Sequence, residues 1–147
     1  AGRKNRRLTQ QIGNWTDRDG TGEAFDSSTV FILPNGARKS PDVSWIELNK
    51  WNTLTLRERE GFPPIVPDFV IELVSPRDLK NQRYEDLQQK MQEYLDNGVK
   101  LGWLIEPAAK TVEIYRLRKQ VEILNNPKTI SGENVLPEFI LDLSEIF

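Results

Sequence analysis

Two acids stand where core residues are expected. In Pro67-Asp68-Phe69-Val70-Ile71-Glu72-Leu73-Val74-Ser75-Pro76, strand alternation puts Val70, Glu72 and Val74 on one face and Phe69, Ile71 and Leu73 on the other. Both faces therefore read as buried, and Glu72 is a carboxylate planted in an apolar strand. A second acid, Asp42, opens the strand-like run Pro41-Asp42-Val43-Ser44-Trp45-Ile46. A buried charge left unpaired costs an amount comparable to the whole stability of a small domain, so it requires a metal, a cation or a proton. Adjacent strands of one sheet let two such carboxylates converge. Oxygen ligands of this kind suit magnesium, manganese or calcium.

Composition narrows the chemistry further. The chain has 147 residues, a net charge of -2, 37% hydrophobic residues and four Trp, enough for one α/β domain with a real core over residues 1–147. It has no Cys and no His, which excludes disulfides, thiolate or imidazole zinc sites, Ser-His-Asp triads and Cys nucleophiles. Catalysis is left to carboxylates, Lys, Tyr, Ser or Thr. No apolar run approaches the roughly 20 residues of a membrane span, and no signal-peptide pattern is present, so a soluble, cytoplasmic protein is expected. Weak acidity argues against a general nucleic-acid coating protein but leaves room for an enzyme with a local positive rim.

The positioning elements alternate between helix and strand. The opening, through Ile12, resembles the tail of a helix, which raises the expectation that an N-terminal segment is missing. Its cations Arg3, Lys4, Arg6 and Arg7 suit either phosphate contact or a solvated helix face. Residues 28–33 read as a strand, and Pro34-Asn35-Gly36-Ala37 as a turn returning the chain into the Asp42 strand as a hairpin. Thr55-Leu56-Arg57-Glu58 is a capping-box pattern for a short helix. One longer helix is predicted from about Leu79 to Asn97, with Gly98 as its stop and an apolar stripe of Tyr84, Leu87, Met91, Tyr94 and Leu95. Strands follow at 101–105, 111–115 and 120–124, then an irregular tail. Lys90 flanks the stripe about one turn from Leu87 and Tyr94, and its long stem can carry an ammonium across apolar surface to the acids.

Hairpin strand, acidic strand, acidic strand, helix, strand is the order of a PD-(D/E)XK nuclease. In that chemistry an Asp and a Glu hold magnesium while a Lys orients the attacking water. The Lys normally sits two residues after the Glu, where this chain has Val74. The Asp42 and Glu72 segments, Lys90 with Glu93-Tyr94, Asn97-Gly98-Val99 and Gly102-Trp103-Leu104-Ile105-Glu106-Pro107 together resemble the Uma-two family over nearly the whole chain. The resemblance implies a restriction endonuclease-like fold, a mixed central β-sheet flanked by helices. It also implies a magnesium- or manganese-dependent nuclease site with Asp42 and Glu72 as metal ligands and Lys90 as the catalytic lysine moved onto the helix.

Other readings of the same residues stay open. Asp42 after a Pro can cap a turn, Glu72 can form a buried salt bridge, and Lys90 can be a solvated charge. Asp68 lies about 13 Å from Glu72 in an extended strand, too far to hold the same ion, and reads as a turn or supporting residue. Arg77, Lys80 and Arg83 can track a phosphate backbone or balance Asp78 and Glu85. The expected function is a metal-dependent endonuclease acting on nucleic acid, preferably DNA. A catalytically inactive nuclease fold kept for DNA binding or protein assembly is the alternative, and a two-carboxylate glycosidase ranks last. A homodimer is expected from fold analogy only.

Overall fold

The computed structural model describes residues 2–147. Helix α1 (Gly2–Asp19) leads into strand β1 (Gly22–Asp26) and a small hairpin of β2 (Phe31–Ile32) and β3 (Arg38–Lys39). Strand β4 (Val43–Glu47), helices α2 (Leu48–Trp51) and α3 (Leu56–Glu60), and strand β5 (Phe69–Leu73) come next. Helices α4 (Pro76–Lys80) and α5 (Tyr84–Asp96) connect β5 to β6 (Leu101–Glu106), β7 (Thr111–Arg116) and β8 (Glu122–Asn125). A hairpin of β9 (Thr129–Ser131) and β10 (Ile140–Asp142) and a single 3-10 turn close the chain.

Six strands form one mixed sheet in the order β1-β4-β5-β6-β7-β8. Only β5 and β6 run parallel, because the helical crossover α4–α5 joins them. The faces of this sheet are packed by different elements. Leu8, Ile12 and Trp15 of α1 recur at helical spacing and pack with Val43, Trp45, Phe69, Ile71 and the C-terminal Leu136, Phe139 and Leu141 on one face. On the other face Met91, Tyr94 and Leu95 of α5 pack with Ile46, Val70, Val74 and Leu104. Gly102 lets α5 approach β6, since a Cβ there would lie 2.7 Å from the Met91 terminal methyl. All five residues of β5 are buried, as expected of a strand covered on both sides.

Three expectations are corrected. Residues 28–33 form only a short strand at Phe31–Ile32, and it pairs with Arg38–Lys39 rather than with the Asp42 strand, whose partners are β1 and β5. The Asp26 carboxylate captures the Ser28 N–H at 2.9 Å, a local turn that competes with extension of the strand. The helix expected from Leu79 to Asn97 is two helices. Ser75 and Asp78 cap α4 reciprocally with Pro76 in its first turn, α4 buries nothing, and the chain turns through Gln82 at φ 56° before α5 begins. The irregular tail is an organised layer that contributes Ile130, Leu136, Phe139, Leu141, Leu143 and Ile146 to the core. The capping box at Thr55 and Glu58 is present as read.

Candidate active site

The site lies at the sheet end where β4 begins and β5 finishes. The β4–β5 register pairs Val43 with Ile71 and Ser44 with Val70, and one further step sets Asp42 opposite Glu72. Both side chains leave the sheet on the α5 face. The Asp42 carboxylate accepts the Leu73 backbone N–H at 2.7 Å, which fixes it beside its neighbour. Glu72 is 4% exposed, in an apolar setting. Two groups of α5, one turn apart, reach down to it: the Lys90 ammonium lies 3.0 Å from Oε2, and the Tyr94 hydroxyl donates to the same oxygen at 2.7 Å. Among the described residues, no protein donor reaches the other carboxylate oxygen, Oε1.

Two like charges facing each other across adjacent strands repel. Burial pushes Glu72 up to about 7, with the Asp42 charge adding to the rise and the Lys90 charge and the Tyr94 and Lys90 hydrogen bonds opposing it. Asp42 is also raised, chiefly by burial, while the Leu73 N–H, the Lys90 charge and a hydrogen bond shared with Glu72 hold it down. The two carboxyl groups are thus close enough to share a proton, with Glu72 the better holder of it. Burial and the adjacent Glu72 push the Tyr94 phenol well above its ordinary range, so it stays a donor.

A cleft of about 420 Å³ opens over the pair, lined by Asn5, Asp42, Glu72, Ser75, Asp78, Arg83, Asp86 and Lys90. Asp78 accepts from the Ser75 N–H and hydroxyl, both at 2.9 Å, and is committed to the α4 cap. No group of three or more potential ligating side chains occurs among the described residues. Two facing hard-oxygen donors fit magnesium or manganese, which takes one or two protein carboxylates and completes its shell with water and substrate. The fold therefore brings together Asp42, Glu72 and Lys90, which the sequence singled out. It adds Tyr94, which reads as one more member of the apolar stripe, and Asn5, which carries no signal in the sequence.

Asp68 does not belong to this cluster. It sits at the opposite sheet end, where it accepts the Glu47 N–H at 2.8 Å and pairs with Lys50 at 3.3 Å and Lys100 at 3.5 Å, beside a separate cavity of about 660 Å³. The position two residues after Glu72 is filled by Val74, buried in the core under α5. Another buried carboxylate, Glu113 on β7, stands in the same cross-strand row as Glu72, with Leu104 between them. Glu113 accepts from Tyr84, from Tyr115 at 2.6 Å and from Gln88 at 3.1 Å. Helix α5 is thus held on two buried acids.

A family model described as Uma2, putative restriction endonuclease, matches residues 1–144. The crystal structure of a putative nuclease belonging to DUF820 from Anabaena variabilis ATCC 29413 is similar in fold, with a TM-score of 0.80 and 22% identity over 99% of this chain and 79% of that one. No curated protein matches the chain. No helix among the described residues is long and apolar enough to cross a membrane.

Proposed function

Because the chain belongs to the Uma2 family of putative restriction endonucleases, we propose that it is a metal-dependent endonuclease hydrolysing phosphodiester bonds in DNA, with Asp42 and Glu72 as ligands of magnesium or manganese and Lys90 assisting attack by water. The observation that carries this reading is the cluster itself: facing carboxylates on β4 and β5 with an ammonium 3.0 Å from one of them, at the floor of an open cleft. A bound divalent ion would supply positive charge for the phosphate oxygens and acidify a water molecule. Asp42 and Glu72 would hold that charge where the phosphate must sit, and their burial lowers the local dielectric and strengthens the attraction. Lys90, with its side chain 27% exposed, can release Glu72 Oε2 and turn its protons toward a water oxygen or a non-bridging phosphate oxygen. Tyr94 keeps its hydroxyl on Glu72 and holds the carboxylate in orientation.

Calorimetric titration of magnesium and manganese, with plasmid cleavage followed in the same samples, tests this. Wild-type protein is expected to bind and cleave, and Glu72→Gln and Asp42→Asn to lose both. Metal binding unchanged in Glu72→Gln would sink the site. Val74 in place of the usual lysine supports a second reading, an inactive nuclease fold kept for DNA binding. Metal binding by the wild type without cleavage of any DNA form would favour it.

A further inference from the structure

We infer that a two-sided cationic rim flanks the cleft, with Lys4 and Arg6 of α1 in hollows adjoining one side and Arg83 at the start of α5 on the other, and that it seats duplex DNA phosphates on either side of the acid pair. The inference rests on the nuclease reading for the identity of the polyanion, and on the placement of the cations for the rest. Helix α1 packs on one face of the sheet and α5 on the other, yet Asn5 of α1 lines the same cleft as Arg83 and Lys90. The cleft therefore crosses the end of the sheet from one face to the other. Lys4 borders an adjoining hollow with Leu73, Ser75 and Pro76, and Arg6 borders another with Asp42.

Among the described residues, these cations stand in no ion pair. The cations in ion pairs are Lys39, Lys50, Lys90, Lys100 and Arg116, so among the described residues Arg3, Lys4, Arg6, Arg7, Arg77, Lys80 and Arg83 have no carboxylate partner. The alternative in which Arg77, Lys80 or Arg83 pairs with Asp78 or Glu85 is not seen among the described residues, and Asp26 and Asp78 are committed to their own turns. From residue 2 to residue 16 the chain has four cations and no acid. Arg3 with Arg7 and Lys4 with Arg7 repel at helical spacing. In a chain of net charge -2, this local excess is a placement and not a general basicity.

Fluorescence anisotropy of a labelled DNA duplex in EDTA, measured against salt concentration, tests the rim apart from catalysis. Each neutralised phosphate contributes about 0.9 to the slope of log affinity against log salt, so Lys4→Gln/Arg6→Gln/Arg83→Gln is expected to reduce that slope by about 2 to 3. Arg118→Gln/Lys119→Gln, in the turn after β7 at the opposite sheet end, is expected to leave the slope as in wild type. Thermal unfolding of the triple variant is expected at or above the wild-type temperature, since repulsion within α1 is relieved. A slope unchanged in the triple variant, or reduced equally in the distal pair, overturns the rim. Cleavage on adding magnesium or manganese is scored separately: its absence in a wild type that shows the expected slope would count against the nuclease reading and not against the rim.

Discussion

Lys90 and Tyr94 address the same oxygen of Glu72, but they do so differently. The ammonium supplies charge and can move, whereas the buried phenol supplies a fixed hydrogen bond to the ionised form. Tyr94→Phe keeps the packing and removes that bond. It is expected to cost about 1 to 2 kcal/mol of stability, as for a hydrogen bond to a buried carboxylate, and to raise the Glu72 pKa further. Affinity for magnesium should fall at neutral pH and recover at alkaline pH, where Glu72 is ionised in both proteins. Calorimetry across a pH series checks this, and a loss independent of pH would mean that the phenol acts on something other than protonation. Glu72 was legible because a charge in an apolar run is itself an anomaly, and Lys90 because it stands at the edge of a helical stripe. Tyr94 was not, because a phenol facing a core is ordinary until the strand beneath it is known to carry an acid.

At the scale of elements, β1 and β4 depend on a contact that no spacing reveals. A Cβ on Gly22 would lie 2.2 Å from the Trp45 indole, and that ring is buried and packed against Trp15 with centroids 5.8 Å apart. Gly22→Ala is therefore expected to destabilise by about 2 kcal/mol through overpacking, measured by urea unfolding. Gly102→Ala is expected to cost less, since the flexible tip of Met91 can withdraw. Equal losses in the two would show that Trp45 repacks as easily as a methionine. The strands β5, β6 and β7 and the stripe of α5 were readable from periodicity and turn residues. The break before Tyr84 and the pairing of β4 with β1 were not, because a cap at Ser75 and long-range pairing decided them over local pattern.

For the whole molecule, the acid pair is expected to link global stability to pH and, on the proposed function, to metal. Glu72 holds its proton up to about pH 7 in the folded chain, whereas in the unfolded chain it ionises near 4.5. Between those values the folded state binds more protons, so in EDTA stability should fall as pH rises from about 4.5 to 7, by up to about 3 kcal/mol. The rise in Asp42 acts in the same direction. Denaturant curves at pH 5 and pH 8 check the sign. Glu72→Gln should flatten the difference, and magnesium should restore stability at pH 8 by binding only the folded form. A stability that rises with pH in EDTA would rule out the pair as the governing group. The composition, free of His and Cys, left oxygen donors as the chemistry to look for before any fold was known, but the organised C-terminal layer was hidden because its apolar residues are spread over short, turn-rich segments. The second foot of α5 bears on how such a site is loaded. Tyr84 and Gln88 stand on Glu113 while Lys90 and Tyr94 stand on Glu72, so drawing Glu72 toward a cation leaves the helix anchored at its first turn. The ordering entropy of α5 is settled when the chain folds. On the proposed function the helix then serves as an abutment rather than a lid.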